Sequence, residues 1–253
     1  MVAPLPASEC ETLLAIERAV VRSWPALETA DIDGWLWRCA SGGSFRANSV
    51  AALAFTGSDP ERAVTDVEQR YASRDAPSLF TVSEVSSPAD IDDILARRGY
   101  ERGADHFTLA KDIAGGSLSP PADVVMMREP RADWLDIYLA GLSSDRRDAA
   151  PRILAGLPPQ RAYFGCMRAG RLIGSGLSIV DGPLASVQCM ATLVDARRQG
   201  GARAVLQAIE AYARSAGCSR LYLLAEAGNA AALSLYQAFG FRTLGRYHMR
   251  SKR

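Results

Sequence analysis

Residues 192–203 read TLVDARRQGGAR. An apolar, strand-like run gives way to a basic turn with two adjacent glycines, and the turn opens an amphipathic helix. Glycine accepts the left-handed backbone such a turn needs, and a helix N-terminus leaves its first N–H groups unpaired at the positive end of the helix dipole. Several donors therefore converge on one small volume, which calls for an anion and is read as a phosphate site. A second signal follows at residues 229–241, NAAALSLYQAFGF, a helix capped by Asn229 and closed by Gly240.

Working outward, LASVQCMATL at 184–193 is the strand that enters the turn. The helix leaving it sets Val205, Ile209, Tyr212 and Ala216 on one face and stops at Gly217. SRLYLLAE at 219–226 reads as a buried strand, and a last strand starts at Phe241. Upstream lie a strand from Val124, helices over 134–142 and 145–157, and a hairpin over 161–180 that turns at Ala169-Gly170. From 124 onward the order is β-αα-βββ-α-β-α-β.

The first half also alternates. A helix over 8–23 is stopped by Pro25, and GWLWRCA at 34–40 with SFRANSVAALAF at 44–55 predicts a hairpin across SGG at 41–43. Asp59 as N-cap and Pro60 at the first helical position predict a helix through Val64, Val67 and Tyr71. A strand over 78–85, a helix over 88–99 and a strand over 100–113 complete it. AGGSLSPPAD at 114–123 has no apolar period and is read as a linker. The domains expected are thus 1–113 and 124–253.

The two halves superpose in sequence at a shift of 141 residues, the spacing of Gly99-Tyr100 from Gly240-Phe241. Asp59 then falls on Gly200 and Tyr71 on Tyr212, with helices and strands in the same order. They differ where chemistry is expected: the first half has Asp59 and Glu61 where the second has Gly200 and Ala202, and Leu95 where the second has Tyr236. An acidic turn repels phosphate, so the first copy is read as degenerate.

Arg197-Arg198-Gln199-Gly200-Gly201-Ala202, after a strand and opening a helix, together with Asn229 to Tyr236 and Phe239-Gly240-Phe241 downstream, resembles the GNAT superfamily of acyl-coenzyme A-dependent N-acyltransferases. The resemblance covers about residues 124 to 251. It implies an α/β fold of two GNAT-like domains, each a mixed, mostly antiparallel twisted sheet flanked by helices.

It also implies acetyl-CoA as cosubstrate, with its diphosphate on the backbone of Arg198, Gln199, Gly200, Gly201, Ala202 and Arg203. The pantetheine arm would enter between a strand at Met190, Ala191 and Thr192 and the strand at Tyr222 to Ala225, with Asn229 beside it. Tyr236 is the catalytic residue expected to protonate the departing thiolate while a neutral amine attacks the thioester. Holding an amine of pKa about 10.4 neutral at pH 7 costs roughly 4–5 kcal/mol, so a base or water chain is expected. Relatives often carry a glutamate on the strand before the turn, whereas LASVQCMATL has no carboxylate. Gln188 or Ser186 could hold a relaying water, Glu226 and Asp181 are the nearby carboxylates, and the base stays open.

The same residues would serve a non-catalytic acyl-CoA-binding regulatory module, or a transferase of longer acyl groups. His106 and His248 lack metal-ligand spacing, and no metal is expected. Trp35 and Trp37 share a strand face and are read as core. Five dispersed cysteines and no CxxC pair read as free thiols. A formal net charge of +1, with no basic block and no apolar N-terminal segment, points to a cytoplasmic protein whose partner is a small-molecule or peptide amine rather than nucleic acid or membrane. A homodimer is admitted.

Overall fold

The computed structural model describes residues 5–40, 43–113 and 115–253. Ser41 and Gly42 of the expected hairpin separator and Ala114 of the expected linker lie outside the described residues. The first half runs α1 (Ala7–Ser23), β1 (Glu28–Ile32), β2 (Trp35–Cys39), β3 (Val50–Ala51), α2 (Pro60–Ala72), β4 (Ser78–Ser83), α3 (Ile91–Arg97) and β5 (Glu101–Asp112). The second runs β6 (Val124–Met127), α4 (Ala132–Ala140), α5 (Ser144–Ala155), β7 (Arg161–Arg168), β8 (Arg171–Asp181), β9 (Leu184–Ser186), β10 (Gln188–Thr192), α6 (Gly201–Ser215), β11 (Arg220–Glu226), α7 (Ala230–Ala238) and β12 (Arg242–Lys252).

Two expectations need correction. The tight hairpin of the first half joins β2 back to β1, and the expected pairing with residues 44–55 is reduced to an antiparallel contact of Leu36 with Ala51 of β3. Its turn is Asp33-Gly34, both at positive φ, the pair a tight hairpin favours. Residues Phe45–Ala47 form a single helical turn, and only Val50–Ala51 return to the sheet. The strand over 184–193 is broken at Val187 into β9, which lies between β8 and β11, and β10, which pairs with β8.

The strands form one mixed sheet in the order β1-β2-β3-β4-β12-β5-β11-β9-β8-β7-β6, with β10 also on β8. Among the described residues only β3 with β4 and β9 with β11 are parallel. The last strands of the two halves are exchanged: β12 lies on β4 of the first half, and β5 lies on β11 of the second. At the centre β5 and β12 pair antiparallel with His106 opposite Tyr247, two positions separated by the 141-residue shift. A local two-fold axis therefore passes through this pair, as in the interface of a symmetric dimer. The rings of His106 and Tyr247 stack there at 4.9 Å.

The helices cover both faces. On β7 alternate residues turn to opposite sides, and a register shift at Ile173 moves the alternation on β8: Phe164, Cys166 and Ile173 join the core under α6 and α7, while Tyr163, Leu172 and Leu177 join the core under α4 and α5. A separate core around Trp35, Trp37, Tyr71 and Phe80 holds the first half together, with both tryptophans fully buried as read from their shared face. Helix α1 packs on the exchanged region through Leu13 and Ile16, against Tyr222 and Leu244.

Glu210 of α6, 4% exposed, ties the halves: Lys111 of β5 donates to Oε2 and Arg214 to Oε1, each at 2.5 Å. Burial raises its carboxyl pKa, but these hydrogen bonds outweigh burial and hold it below the ordinary range. Such a depressed acid stabilises the fold above its unfolded pKa, and the gain is lost as pH falls through the folded value. Glu210→Gln is expected to cost about 3 kcal/mol in urea unfolding at pH 7. The difference from wild type should shrink in acid.

Candidate active site

The opening in the sheet follows from one bulge. Val187 N–H donates to the Tyr222 carbonyl at 2.8 Å, and beyond that bond β10 follows β8 while β11 follows β5. Cys189 takes a φ of +52°, and the β10–β8 register slips between Gln188 and Ala191. The Ser175 hydroxyl donates to the Cys189 carbonyl at 3.0 Å and pins the bulge. Because backbone groups alternate along a strand, Leu224 turns its N–H and C=O to the side that β10 has left. A cavity of about 480 Å³ occupies the gap, bordered by Met190, Ala191, Leu224, Ala225, Asn229 and Tyr236.

Tyr236 reaches this cavity from α7, which the Asn229 side chain caps by accepting from Ala232 N–H at 3.1 Å. Seven residues make two helical turns, so Asn229 and Tyr236 share a face. Tyr236 is 8% exposed, packs edge-on against Phe241 at 5.9 Å, and is raised to a pKa of about 12 by burial. Its hydroxyl makes no hydrogen bond among the described residues and stays protonated at neutral pH. The Cys189 thiol is likewise pushed up by burial to about 12, which removes the thiolate that a covalent acyl-enzyme would need.

Thr192 pairs with Gly174 at the far end of β10, and the glycine turn follows. Arg198 and Gly200 are both left-handed, at φ +64° and +80°, and α6 has no side-chain cap. Ala204 N–H to the Gly200 carbonyl is the helix's first bond, so the N–H groups of Gly201, Ala202 and Arg203 are unused among the described residues. Gly201 is buried, and a Cβ there would stand 3.2 Å from Ile173 Cδ1, so glycine lets α6 sit close on β8. Arg197, Arg198 and Gln199 are exposed, and Gln199 Nε2 donates to the Asp195 carbonyl at 3.2 Å. Asp195, the acid nearest in sequence, is neutralised by Arg171 at 2.8 Å. Arg203 lies over Phe239 at 5.8 Å.

The matching turn of the first half is filled by its own acids. Asp59 caps α2 by accepting from Arg62 N–H at 3.0 Å, Pro60 removes a donor, and Glu61 pairs with Arg98 at 3.2 Å. Leu95, in the place of Tyr236, is fully buried.

Of the groups considered for proton relay, Ser186 is fully buried and accepts from Ile179 N–H and Gln188 Nε2, each at 3.0 Å. Gln188 in turn accepts from Arg46 at 3.2 Å, and Asp181 is paired with Arg22 away from the cavity. Glu226 is exposed at the cavity's edge. His248 is held by Asp92 at 2.8 Å in a structural pair, whereas His106 borders the cavity. Sequence reasoning missed Arg46, Arg146, Tyr138 and Tyr247, which also border it. Arg46 belongs to the first half and Tyr247 to the exchanged strand, so no local motif flags them.

A bulge-split sheet with an uncapped glycine turn at one end of β10 and a tyrosine at the other defines the acyl-CoA-dependent N-acyltransferase class. Residues 12–250 match the family described as "Probable histone acetyltransferase Rv0428c C-terminal", and the chain belongs to this family, within the GNAT superfamily. It is 29% identical over 248 residues to an uncharacterized N-acetyltransferase, YobR, of Bacillus subtilis, covering 94% of this chain and 98% of the relative. It is 30% identical over 131 residues to the probable histone acetyltransferase Rv0428c of Mycobacterium tuberculosis, covering 52% of this chain and 40% of that protein. Among solved structures, a GCN5-related N-acetyltransferase from Kribbella flavida superposes with a TM-score of 0.67 at 15% identity, over 96% of this chain and 95% of that one.

Proposed function

We propose that this protein transfers the acetyl group of acetyl-CoA to a primary amine of a small molecule or peptide by direct attack on the thioester. The observation that carries the reading is the parting of β10 from β11 beyond Val187, with the Tyr236 hydroxyl free in the gap. The diphosphate rests on the free N–H groups of residues 201–203, with Arg198 and Arg203 as counter-charge. The pantetheine arm lies along Leu224 opposite Met190 and Ala191, beside Asn229, which brings the thioester to the bulge.

The amine nitrogen attacks the acyl carbon, a C–N bond forms and the C–S bond breaks. Tyr236 gives its phenolic proton to the departing thiolate and recovers one from the attacking nitrogen. Two copies of one unit make up the chain, 1–113 and 124–253 joined by 114–123, and the first has given up coenzyme binding at its acid-filled turn. Thiol release from acetyl-CoA across a panel of amines tests the reading: tight binding with no turnover on any amine would favour a regulatory acyl-CoA-binding module. Clearly tighter binding of a longer acyl-CoA would overturn the acetyl assignment.

The acceptor end of the cavity carries two guanidinium groups. Arg46, stacked over Trp24 at 4.4 Å, and Arg146 both border it. A lysine in a basic histone-like tail, as the name of the Mycobacterium relative suggests for that protein, meets repulsion here. Amines that also carry a carboxylate or phosphate are expected to show at least tenfold higher kcat/KM than polyamines of similar length, and Arg46→Ala should narrow that gap.

A further inference from the structure

Beside the larger cavity lies a second, water-sized one of about 30 Å³, walled by α1, β2, β3, β4, β5, β11 and β12. Three buried polar atoms in its wall have no hydrogen-bond partner: Glu17 Oε1, Arg38 Nη1 and Thr108 Oγ1. Three unmatched buried groups around a space that can hold water mark a hydrated site rather than a packing fault. Glu17 and Arg38 are 8% and 3% exposed. Thr81 and Thr108 of this wall fall, at the 141-residue shift, on Tyr222 and Met249, which border the larger cavity. The small cavity thus lies where the first half would hold its own strand opening. Val20, Arg46, Leu224, Tyr247 and Met249 border both spaces and form the wall between them.

From this geometry we infer that Glu17, on α1 of the first half, is the proton acceptor for the amine, reached through water in the small cavity and the Tyr247 hydroxyl in the shared wall. The inference rests on the acetyl-transfer reading above. In the step, the ammonium passes one proton through Tyr247 and water to the Glu17 carboxylate, and the neutral amine then attacks the thioester. CoA leaves as a thiol with the Tyr236 proton, and Glu17 later returns its proton to solvent. Glu17 Oε2 accepts from the Ser83 hydroxyl at 2.9 Å, which orients the carboxyl and leaves Oε1 without a hydrogen-bond partner.

Burial, opposed by the Ser83 bond and reinforced by Glu84, raises Glu17 to a pKa of about 8, near the value at which a base works best around neutrality. The other charged or titratable groups facing it are Arg38 from β2, Arg46 from the turn before β3, and Tyr247 from β12. Glu17 and Glu226 each help raise Tyr247, against Arg46, after the larger effect of burial. Glu226, exposed and open to solvent, is the competing base.

The test uses the whole chain with acetyl-CoA and the best amine of the panel. In wild type kcat/KM should rise with pH through an apparent pKa near 8, at the same place for amines of different basicity. Glu17→Gln should lower kcat/KM at pH 8 by roughly 10²-fold and erase that limb. Tyr247→Phe, which keeps the ring stacked on His106, should lower it in the same direction. Folding is checked separately. A carboxyl raised by burial makes the fold bind a proton the unfolded chain lacks, so wild type loses stability from about pH 4.5 to 8, and Glu17→Gln should melt no lower than wild type at pH 8.

A Glu17→Gln protein that keeps the wild-type limb, or a limb removed by Glu226→Gln instead, overturns the assignment while leaving acetyl transfer standing. Wild type that binds acetyl-CoA and acetylates no amine takes down both.

Discussion

Tyr236→Phe is expected to lower kcat by 10²- to 10³-fold while the Kd of acetyl-CoA stays unchanged. The hydroxyl lies in the gap without a protein partner, so its removal breaks no hydrogen bond of the fold, and the ring keeps its contact with Phe241. What is lost is the proton offered to the thiolate, a general-acid contribution of about 3–4 kcal/mol. With a pKa of about 12 the phenol stays protonated through the working range. Tyr236 itself should therefore impose no falling limb between pH 6 and 10. Stopped-flow thiol release with calorimetric binding separates the two constants. An unchanged kcat would remove Tyr236 from the chemistry, and a matching loss of binding would make it a packing residue.

The second large effect comes from grafting the acidic turn of the first half onto the second, Gly200→Asp together with Ala202→Glu. Each new carboxylate stands on the order of 5 Å from a bound diphosphate, where like charges at an effective dielectric near 20 repel by about 3 kcal/mol. Acetyl-CoA affinity should fall by at least 10²-fold, and added salt should restore part of it. The fold should survive, because aspartate caps helices well and tolerates a left-handed backbone better than most residues. Melting within a few degrees of wild type is the control. Retained affinity in the double variant would mean that the diphosphate does not sit on this turn.

Much of this was legible one element at a time. The helix starts at Asp59-Pro60 and Asn229, the stops at Gly99, Gly217 and Gly240, and the turn at Ala169-Gly170 are local backbone chemistry, and the elements form there. β1 was missed because ETADI is short and polar, although the Asp33-Gly34 pair after it was a hairpin signal. The break at Val187 has no sequence mark either. Cys189 takes its positive φ at the register slip between Gln188 and Ala191, where the strand stays on β8 but has left β11.

The sequence by itself determined the glycine turn that opens α6, the capped helix that carries Tyr236, the 141-residue spacing of like elements and the acidic residues at the matching turn of the first half. All of these rest on interactions within a dozen residues or on a pattern read along the chain. Only the tertiary structure decided that β5 and β12 change places, that His106 meets Tyr247 on the local axis, that Arg46 of the first half borders the cavity at the strand opening, and that Glu17 lines the small space beside it. The reason is the nature of strand pairing. Two antiparallel strands of equivalent sequence can pair within a half or across the halves with similar backbone hydrogen bonds, so the choice falls to the packing of the whole sheet.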